Sequence, residues 1–465
     1  MADAAEAAKY IAGLIERAKK AHKEIEFMSQ EQVDEMTVRI AWSGVQPDFA
    51  RKLAKFAAEE SGMGNEPSKY GKIMTKVKGT LRDMKGKKSV GIVEDDKLNG
   101  IVKYAKPMGV IGALIPVTNP EATPFVKAIS AIKTRNVIIM APHPRTKGTN
   151  KMAVDRMRSV LKKHGWPEDV IINVDELSVE ASKELMKQCD IVLATGGGGM
   201  VKAAYSSGTP SQGVGAGNAV CIVDETADLK DAADKIMRSK IFDYATSCST
   251  ENSVIIQEDV YDKAVKELEA VGGYLVNAEE KKKLQATMWD EKGTLNREIV
   301  ARPATRIAEL AGIDLPDGKT FFMIPETGIG PDYPFSAEKL SVTTALYKWK
   351  DFKDAVDMVN TITSFSGPGH SCGIHTFNEA RIRELGLKAR VSRIMIRQPQ
   401  CLANSGAWTN GMPMSMTLGC GSWGGNTVSE NVTWKHLLNY TWVSYEIPST
   451  QPTDEELFGT VMLEE

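Results

Sequence analysis

The apolar run GVIGALIPV at residues 109–117, ended by Thr118-Asn119-Pro120, decides the fold class of this chain. A strand that is apolar on both faces is typical of a buried parallel sheet. Asn119 is a candidate helix N-cap and Pro120 a candidate first helical residue. The run therefore predicts a buried strand that leads directly into a helix.

Similar apolar runs recur along the chain, separated by helical sequence: NVIIMA at 136–141, VIINV at 170–174, IVLA at 191–194 and AVCIV at 219–223. Strands that alternate with helices predict a parallel, doubly wound α/β sheet. This Rossmann-type architecture favours nucleotide cofactors. Ahead of it, Ser29-Gln-Glu-Gln32 matches a capping box and predicts the start of an N-terminal helix.

Length and charge exclude several classes of protein. A chain of 465 residues predicts two or three domains. With 58 Lys and Arg against 60 Asp and Glu, the net charge of −2 argues against a nucleic-acid or anionic-lipid partner. Six scattered cysteines without Cys-x-x-Cys favour a reducing, cytoplasmic setting. Neither a secretion signal nor a membrane span is predicted.

Composition shifts toward Ser, Thr and Gly after about residue 240. We expect N-terminal helices and a dinucleotide-binding domain over residues 1–240, and a second α/β domain with the reactive thiol over 241–425. Residues 426–465 would form a C-terminal segment for bridging and oligomerisation. Within the second domain, the Gly-, Trp- and Met-rich residues 400–430 are too apolar for a disordered linker and predict an ordered functional loop.

Two motifs leave a functional and a structural interpretation open. The glycine run Gly196, Gly197, Gly198 and Gly199 follows a strand and either admits the backbone close to a dinucleotide or forms a tight turn. Cys248, in Tyr244-Ala-Thr-Ser-Cys-Ser-Thr-Glu251, is either an activated nucleophile or a buried inert thiol.

Other polar residues also follow predicted strands. Asn119 is either a helix cap or an amide donor to an oxyanion, and Arg145 in Pro142-His-Pro-Arg145 is either a phosphate ligand or a surface arginine. The six histidines form no His-x-x-x-His pattern, so no metal site is predicted.

Taken together, the motifs resemble the CoA-acylating branch of the aldehyde dehydrogenase superfamily, and especially the aldehyde dehydrogenase half of bifunctional aldehyde-alcohol dehydrogenases. They run in family order along nearly the whole chain. They are Glu60-Ser-Gly-Met-Gly64, Ile115-Pro-Val-Thr-Asn-Pro120, Lys133-Thr-Arg-Asn136, Pro142-His-Pro-Arg145, Leu193-Ala-Thr-Gly-Gly197, Gly213-Val-Gly-Ala-Gly-Asn218, Asp224-Glu-Thr-Ala-Asp228, Glu338-Lys-Leu340, Gly369-His370 and Thr417-Leu-Gly-Cys-Gly-Ser-Trp-Gly-Gly-Asn426.

The resemblance implies an aldehyde dehydrogenase-like fold and a catalytic role for Cys248. The thiolate would attack a short aldehyde, with the oxyanion held by the Cys248 amide and the Asn119 side chain. After hydride transfer, CoA would take the acyl group from the cysteine thioester. His370 is a candidate for assisting the CoA thiol, the alternative being that it only packs.

The resemblance also assigns the cofactor pocket. The cofactor would be NAD or NADP, with CoA as co-substrate and no metal. Glu338 would hold the nicotinamide ribose, and the His-Pro-Arg turn leaves a 2′-phosphate possible. The other predicted cofactor-binding residues are Ile115, Pro116, Val117, Thr118, His143, Pro144, Arg145, Gly196, Gly197, Gly198, Gly199 and Gly215.

One position separates CoA from water as the acyl acceptor. Hydrolytic relatives carry a general-base glutamate where Val214 aligns here, and valine cannot deprotonate water. CoA is therefore the expected acceptor, and a hydrolytic aldehyde dehydrogenase is the alternative. A third hypothesis is an assembly protein, because relatives form homodimers, homotetramers or filaments.

The substrate pocket departs from the family pattern beyond Arg393. Hydroxyls beside Cys248, together with Arg393 or Arg397, suit an aldehyde with an anionic head. The segment Asn404-Ser-Gly-Ala-Trp-Thr-Asn-Gly-Met-Pro413 also resembles acylating sulfoacetaldehyde dehydrogenases. We therefore expect sulfoacetaldehyde as the substrate, with acetaldehyde or propionaldehyde as alternatives, and either arginine forming only a surface salt bridge as the structural alternative.

Overall fold

The computed structural model describes residues 2–463 and contains fifteen strands in that range. They are β1 (Gly91–Asp96), β2 (Ile101–Pro107), β3 (Val110–Ile115), β4 (Val137–Pro142), β5 (Ile171–Asn173), β6 (Ile191–Thr195), β7 (Ser211–Val214), β8 (Ala219–Val223), β9 (Glu251–Gln257), β10 (Gly273–Leu275), β11 (Phe321–Pro325), β12 (Thr343–Trp349), β13 (Cys372–His375), β14 (Ile394–Ile396) and β15 (Leu438–Ser444).

Seventeen α-helices complete this part of the chain, with a π-helical segment at Ile73–Val77 between the fourth and fifth. They are α1 (Ala2–Ile25), α2 (Gln30–Val45), α3 (Pro47–Ser61), α4 (Glu66–Lys72), α5 (Lys78–Met84), α6 (Thr123–Lys133), α7 (Lys147–Lys163), α8 (Val179–Gln188), α9 (Gly198–Tyr205), α10 (Leu229–Ile241), α11 (Tyr261–Ala270), α12 (Ala278–Met288), α13 (Ala304–Ala311), α14 (Phe352–Phe365), α15 (Glu379–Lys388), α16 (Gln400–Ala403) and α17 (Asp454–Phe458). The capping box at Ser29 opens α2 as predicted.

A five-stranded parallel sheet confirms the predicted nucleotide-type fold. Its order is β5-β4-β3-β6-β7, and all residues of β3 and β4 are buried. In the centre Ile111 of β3 pairs with Ile138 on one side and Ile191 on the other. The chain order reverses at β3, and such a switch point is where open α/β sheets bind ligands.

A second parallel sheet corrects the predicted domain boundary at residue 240. Its order is β10-β11-β12-β9-β8-β13-β14, and it has a separate apolar core. Strand β8, assigned from sequence to the dinucleotide-binding domain, pairs here with β9 and β13. The sequence could not show this, because β8 follows the same alternation of strand and helix as the strands before it.

The helix after β3 begins later than predicted. Residues 118–122 form turns, and α6 starts at Thr123 with Ala122 as the N-cap. Asn119 and Pro120 therefore do not open a helix, and the cap interpretation of Asn119 is wrong. The turn extends the chain past the sheet edge, which leaves the Asn119 side chain available for other contacts.

The C-terminal segment returns to the first domain. Strand β15 pairs with β2 in a three-stranded antiparallel sheet, β1-β2-β15, while Trp434 and Leu437 join the core of the five-stranded sheet. Tyr440 and Trp442 of β15 remain exposed. A role of this segment in oligomerisation stays a prediction. Among residues 2–463 no helix has both the length and the apolarity needed to cross a membrane.

The segment that leads to Cys248 has an unusual backbone. Asp243, Tyr244 and Ala245 all have positive φ values, of 49°, 50° and 62°. Residues with a Cβ adopt this left-handed region rarely, and each costs roughly 1–2 kcal/mol there. Surrounding contacts must hold these three residues in place.

Asp243 supplies those contacts through a fully buried carboxylate. It lies between two buried lysines, Lys69 at 3.2 Å and Lys72, and it also accepts the Asn65 amide at 2.8 Å. A second buried carboxylate, Glu121, lies 3.7 Å from Lys69. Burial alone would raise the pKa of Asp243, but Lys72 and Lys69 outweigh it and hold the pKa below its ordinary value.

We predict that Asp243→Asn lowers the free energy of unfolding by about 3–5 kcal/mol, because it removes the carboxylate with which two buried lysines, Lys69 and Lys72, form ion pairs. Urea unfolding followed by tryptophan fluorescence measures the change. The matched control is Asp357→Asn, which breaks an exposed ion pair with Lys353 and should cost less than about 1 kcal/mol. Equal effects of both variants would contradict the role assigned to Asp243.

Candidate active site

A cavity of about 1030 Å³ lies between the two parallel sheets. The first sheet contributes the segments that follow β3, β4, β6 and β7, and the second domain contributes residues around 246–248, 338–340 and 398–409. Cavities of this size bind small molecules and cofactors. Because the segments come from strand ends and from both domains, the cavity is the candidate active site.

Cys248 lies on the cavity wall, in the turn before β9. The side chain is half-buried, and its Sγ is 3.0 Å from the Nε2 of His370. The backbone of Gly217 packs so closely that a Cβ there would overlap the Cys248 carbonyl oxygen. A glycine is therefore required at position 217 to seat the thiol.

The surroundings of Cys248 favour the neutral thiol. Burial raises the pKa of Cys248 above its ordinary value, and Glu338 raises it further, while Arg393 lowers it. Burial, together with Arg393, lowers the pKa of His370 to about 3. His370 is thus neutral at physiological pH. If its Nδ1–H donates to the Ser371 hydroxyl, 2.9 Å away, its Nε2 can accept the proton of the thiol.

Asn119 lines the same cavity and contacts Lys72, one of the two buried lysines that hold Asp243. Its Oδ1 accepts a hydrogen bond from Lys72 Nζ at 2.6 Å, and its Nδ2 donates to the Thr118 hydroxyl at 3.1 Å. An ammonium can only donate, so Lys72 fixes which end of the amide is the acceptor. The second N–H of Asn119 is left as a donor for an oxygen in the cavity.

Glu338 and Val214 also line the cavity, with different chemistry. The Gly217 amide donates to Glu338 Oε1 at 3.2 Å. Burial raises the pKa of Glu338 to about 8 despite that hydrogen bond and the nearby Lys339. Val214 is buried and apolar, so its position offers no base.

The predicted cofactor residues mostly lie together at the first sheet's side of the cavity. Gly197, Gly198 and Gly199 are exposed, and a Cβ at any of them would meet no atom within 4 Å. A phosphate can therefore approach the amides at the start of α9. These residues fit a nicotinamide dinucleotide. The members that line this cavity are Ile115, Pro116, Val117, Thr118, His143, Pro144, Gly196, Gly197, Gly199, Gly215 and Glu338.

Two of the predicted cofactor residues lie elsewhere. Gly198 lines a neighbouring cavity of about 380 Å³, which shares Gly215 with the larger one. Arg145 is exposed and outside both cavities, and its guanidinium donates to the backbone oxygen of Ser61. This contact uses Nη2 alone, and a phosphate contact of Arg145 stays a prediction.

The structure does not bring the predicted substrate arginines to either cavity. Arg393 is buried and donates to the backbone oxygens of His370, at 3.2 Å, and Gly419. Arg397 donates to the Thr376 oxygen at 2.6 Å and stacks on Phe377. Both guanidinium groups donate to backbone oxygens, and the predicted contact of either arginine with an anionic substrate stays a prediction.

Sequence reasoning missed three lysines that the site depends on. Lys69, Lys72 and Lys76 recur at intervals of three and four, which is the spacing of a buried helical face, and all three are buried. The signal was therefore present: charges occupy positions where a helix normally carries apolar residues. Among residues 2–463, no three His, Cys, Asp or Glu side chains converge in the way that metal ligands do.

Comparisons with known proteins agree with this geometry. The aldehyde dehydrogenase family model matches residues 2–286. A sulfoacetaldehyde dehydrogenase from Acholeplasma sp is 47% identical, covering 98% of this chain and 94% of that protein. An acylating sulfoacetaldehyde dehydrogenase from Bilophila wadsworthia is 45% identical, covering 97% and 98%.

A solved structure supports the same relationship. An acetylating aldehyde dehydrogenase from Geobacillus thermoglucosidasius superposes with a TM-score of 0.93 at 35% identity, covering 97% of this chain and 99% of that one. The match extends over both parallel sheets and the C-terminal segment. The chain therefore belongs to the aldehyde dehydrogenase family, within its acylating branch.

Proposed function

We propose that this protein oxidises sulfoacetaldehyde to its CoA thioester, with NAD(P)⁺ as hydride acceptor and CoA as acyl acceptor. The observation that carries the proposal is the cavity that the Cys248 thiol, the Asn119 amide and three glycines, Gly196, Gly197 and Gly199, line together. The near full-length similarity to two sulfoacetaldehyde dehydrogenases supports the choice of aldehyde.

The first step is addition of the Cys248 thiol to the aldehyde carbon. His370 Nε2, 3.0 Å from Sγ, accepts the thiol proton as the S–C bond forms. The aldehyde oxygen gains negative charge, which the Cys248 amide and the Asn119 Nδ2 stabilise. Lys72 keeps the Asn119 amide in the required orientation.

A bound nicotinamide dinucleotide would supply the hydride acceptor that converts the adduct to a thioester. The residues proposed to hold it are Glu338 and the segments 115–118, 143–144 and 196–199. These segments offer backbone amides and apolar side chains to a dinucleotide, so binding needs no cluster of positively charged residues. The choice between NAD and NADP stays open at the His143-Pro144 turn, which lines the cavity.

CoA then takes the acyl group. Once His370 has released the first proton to solvent, its Nε2 accepts the proton of the CoA thiol as the sulfur attacks the Cys248 thioester. The new S–C bond forms, the bond to Cys248 breaks, and Cys248 takes that proton from His370 and leaves as the thiol. The buried Val214 provides no base to activate water at this stage. Hydrolysis of the thioester is therefore slow, and the acyl group remains on Cys248 until CoA attacks.

Product formation in the absence of CoA tests the acyl acceptor. Purified enzyme with sulfoacetaldehyde and NAD(P)⁺ should release about one NAD(P)H per chain and then stop, because the thioester accumulates. Adding CoA should restore continuous turnover, measured by absorbance at the nicotinamide band. Sustained turnover without CoA would favour the hydrolytic alternative. If the enzyme oxidises propionaldehyde but not sulfoacetaldehyde, the proposed substrate is wrong and the acylating mechanism is unaffected.

The raised pKa of Cys248 predicts slow alkylation of the free enzyme. A thiolate forms only as the pH approaches the thiol pKa, so a raised pKa means less thiolate at a given pH. The rate of labelling with iodoacetamide at pH 8 should be lower than that of glutathione, and should rise about tenfold per pH unit up to pH 9. Cys248→Ala identifies the labelled thiol. A plateau below pH 8 would contradict the prediction.

Val214→Glu should convert part of the activity to hydrolysis. The new carboxylate lies in the cavity and can act as a general base toward water, so NAD(P)H release without CoA should rise at least about tenfold. Val214→Gln is the matched control, because it has the same shape without a base. Equal CoA-independent rates in the two variants would show that position 214 does not select the acyl acceptor.

A further inference from the structure

Four lysines and arginines of the described part of the chain line the larger cavity, and Lys76 is the one among them that forms no ion pair. The other three are paired: Lys72 with Asp243, Lys183 with Glu180, and Arg238 with Asp234. The Lys76 Nζ donates instead to the carbonyl oxygens of Gly406 at 2.6 Å and Ser405 at 3.2 Å. Its third neighbour, Met414 Sδ at 3.9 Å, is a weak acceptor.

The Lys76 ammonium is buried without a compensating charge. Only 7% of the residue is exposed, and its titratable neighbours are Lys72, which repels it, and Cys401, whose pKa burial raises so that it stays a neutral thiol. Burial lowers the pKa of Lys76 to about 8, so the ammonium is still mostly protonated at pH 7. Isolated buried charges are costly and are usually paired or bound to a ligand.

The charges of the surrounding cluster do not cancel. Lys69, Lys72 and Lys76 carry three positive charges, and the carboxylates packed among the first two are those of Asp243 and Glu121. One positive charge is not compensated. It belongs to Lys76, which lines the cavity and has no carboxylate beside it. An anion in the cavity would compensate that charge.

The position of Lys76 suits the far end of a short substrate. Lys76 lies in the π-helical segment Ile73–Val77, a rare conformation that is frequent at functional sites. Lys72, four residues earlier, contacts Asn119, the proposed donor to the aldehyde oxygen. Lys72, Asn119 and Lys76 line the same cavity, so a short substrate can place its aldehyde oxygen at Asn119 and its anionic head at Lys76.

We infer that Lys76 binds the sulfonate of the aldehyde substrate and determines the preference for an anionic aldehyde. The inference rests on the proposed function. It names the residue that makes the enzyme selective for an anionic aldehyde. A lysine ammonium forms charge-assisted hydrogen bonds with sulfonate oxygens. Lys76 thereby takes the role that sequence reasoning gave to Arg393 and Arg397.

The test compares an anionic with a neutral aldehyde. Values of kcat/KM for sulfoacetaldehyde and for propionaldehyde are measured with CoA for the wild type, Lys76→Met and Lys76→Arg. Loss of one charge-assisted contact should lower the ratio of the two values roughly 10- to 100-fold in Lys76→Met, mainly through KM for sulfoacetaldehyde. Lys76→Arg should keep most of the preference, because it keeps the charge.

The matched control is Lys78→Met, which removes an exposed lysine two residues away that does not line the cavity. It should leave both aldehydes unaffected. Equal losses on both aldehydes in Lys76→Met would mean that Lys76 only fastens the loop at Ser405 and Gly406, and would overturn the inference. Should Lys76→Met fail to fold, Lys76→Gln keeps hydrogen-bond donors for the loop and is judged by the same ratio.

Inhibition by ethanesulfonate separates this inference from the proposed function. Ethanesulfonate has the anionic head and no aldehyde, so it should compete with propionaldehyde in the wild type and about tenfold more weakly in Lys76→Met. A wild type that does not oxidise sulfoacetaldehyde would refute the proposed substrate, whereas the inhibition still tests the anion site. The same inhibition constant in both proteins would overturn the role of Lys76.

Discussion

The buried carboxylate of Asp243 is the contact on which the active site depends. It joins α4 of the first domain, through Lys69 and Lys72, to the strained segment that precedes Cys248 in the second. The same Lys72 ammonium orients the Asn119 amide. One ionic cluster therefore positions both Cys248, the proposed nucleophile, and Asn119, the proposed oxyanion donor. A chain that lost the cluster would lose the alignment of both groups together.

Local charge, rather than total charge, explains how a nearly neutral protein handles anionic molecules. The net charge is −2, yet the described cavity holds a buried lysine without a carboxylate, backbone amides at the start of α9, and a carboxyl group whose pKa is about 8. Each acts over a few ångströms in a site shielded from salt. The protein needs no broad basic surface for this purpose.

Sequence patterns predicted the elements whose formation depends on near neighbours. Buried strands such as β3 and the capping box at Ser29 follow from local periodicity, and the resemblance to a family identified Cys248. Contacts distant in sequence could not be predicted in this way. Arg393 and Arg397 have the right chemistry for an anion, but backbone oxygens elsewhere engage them. The spacing of Lys69, Lys72 and Lys76 marks a buried helical face, but the contact of Lys76 with Ser405 and Gly406, 329 and 330 residues later, has no signal in the local pattern.

The return of β15 to β2 bears on how the chain is made. The side chain of Asn136 in the first domain donates to the backbone oxygen of Leu437, 301 residues later, and Trp434 fills part of the same core. On a ribosome the first domain therefore emerges early but lacks part of its interior until Trp434 and Leu437 have been added to the chain. Contacts so distant along the chain form slowly, since a long loop must close first. The domain that begins folding first is the one completed last.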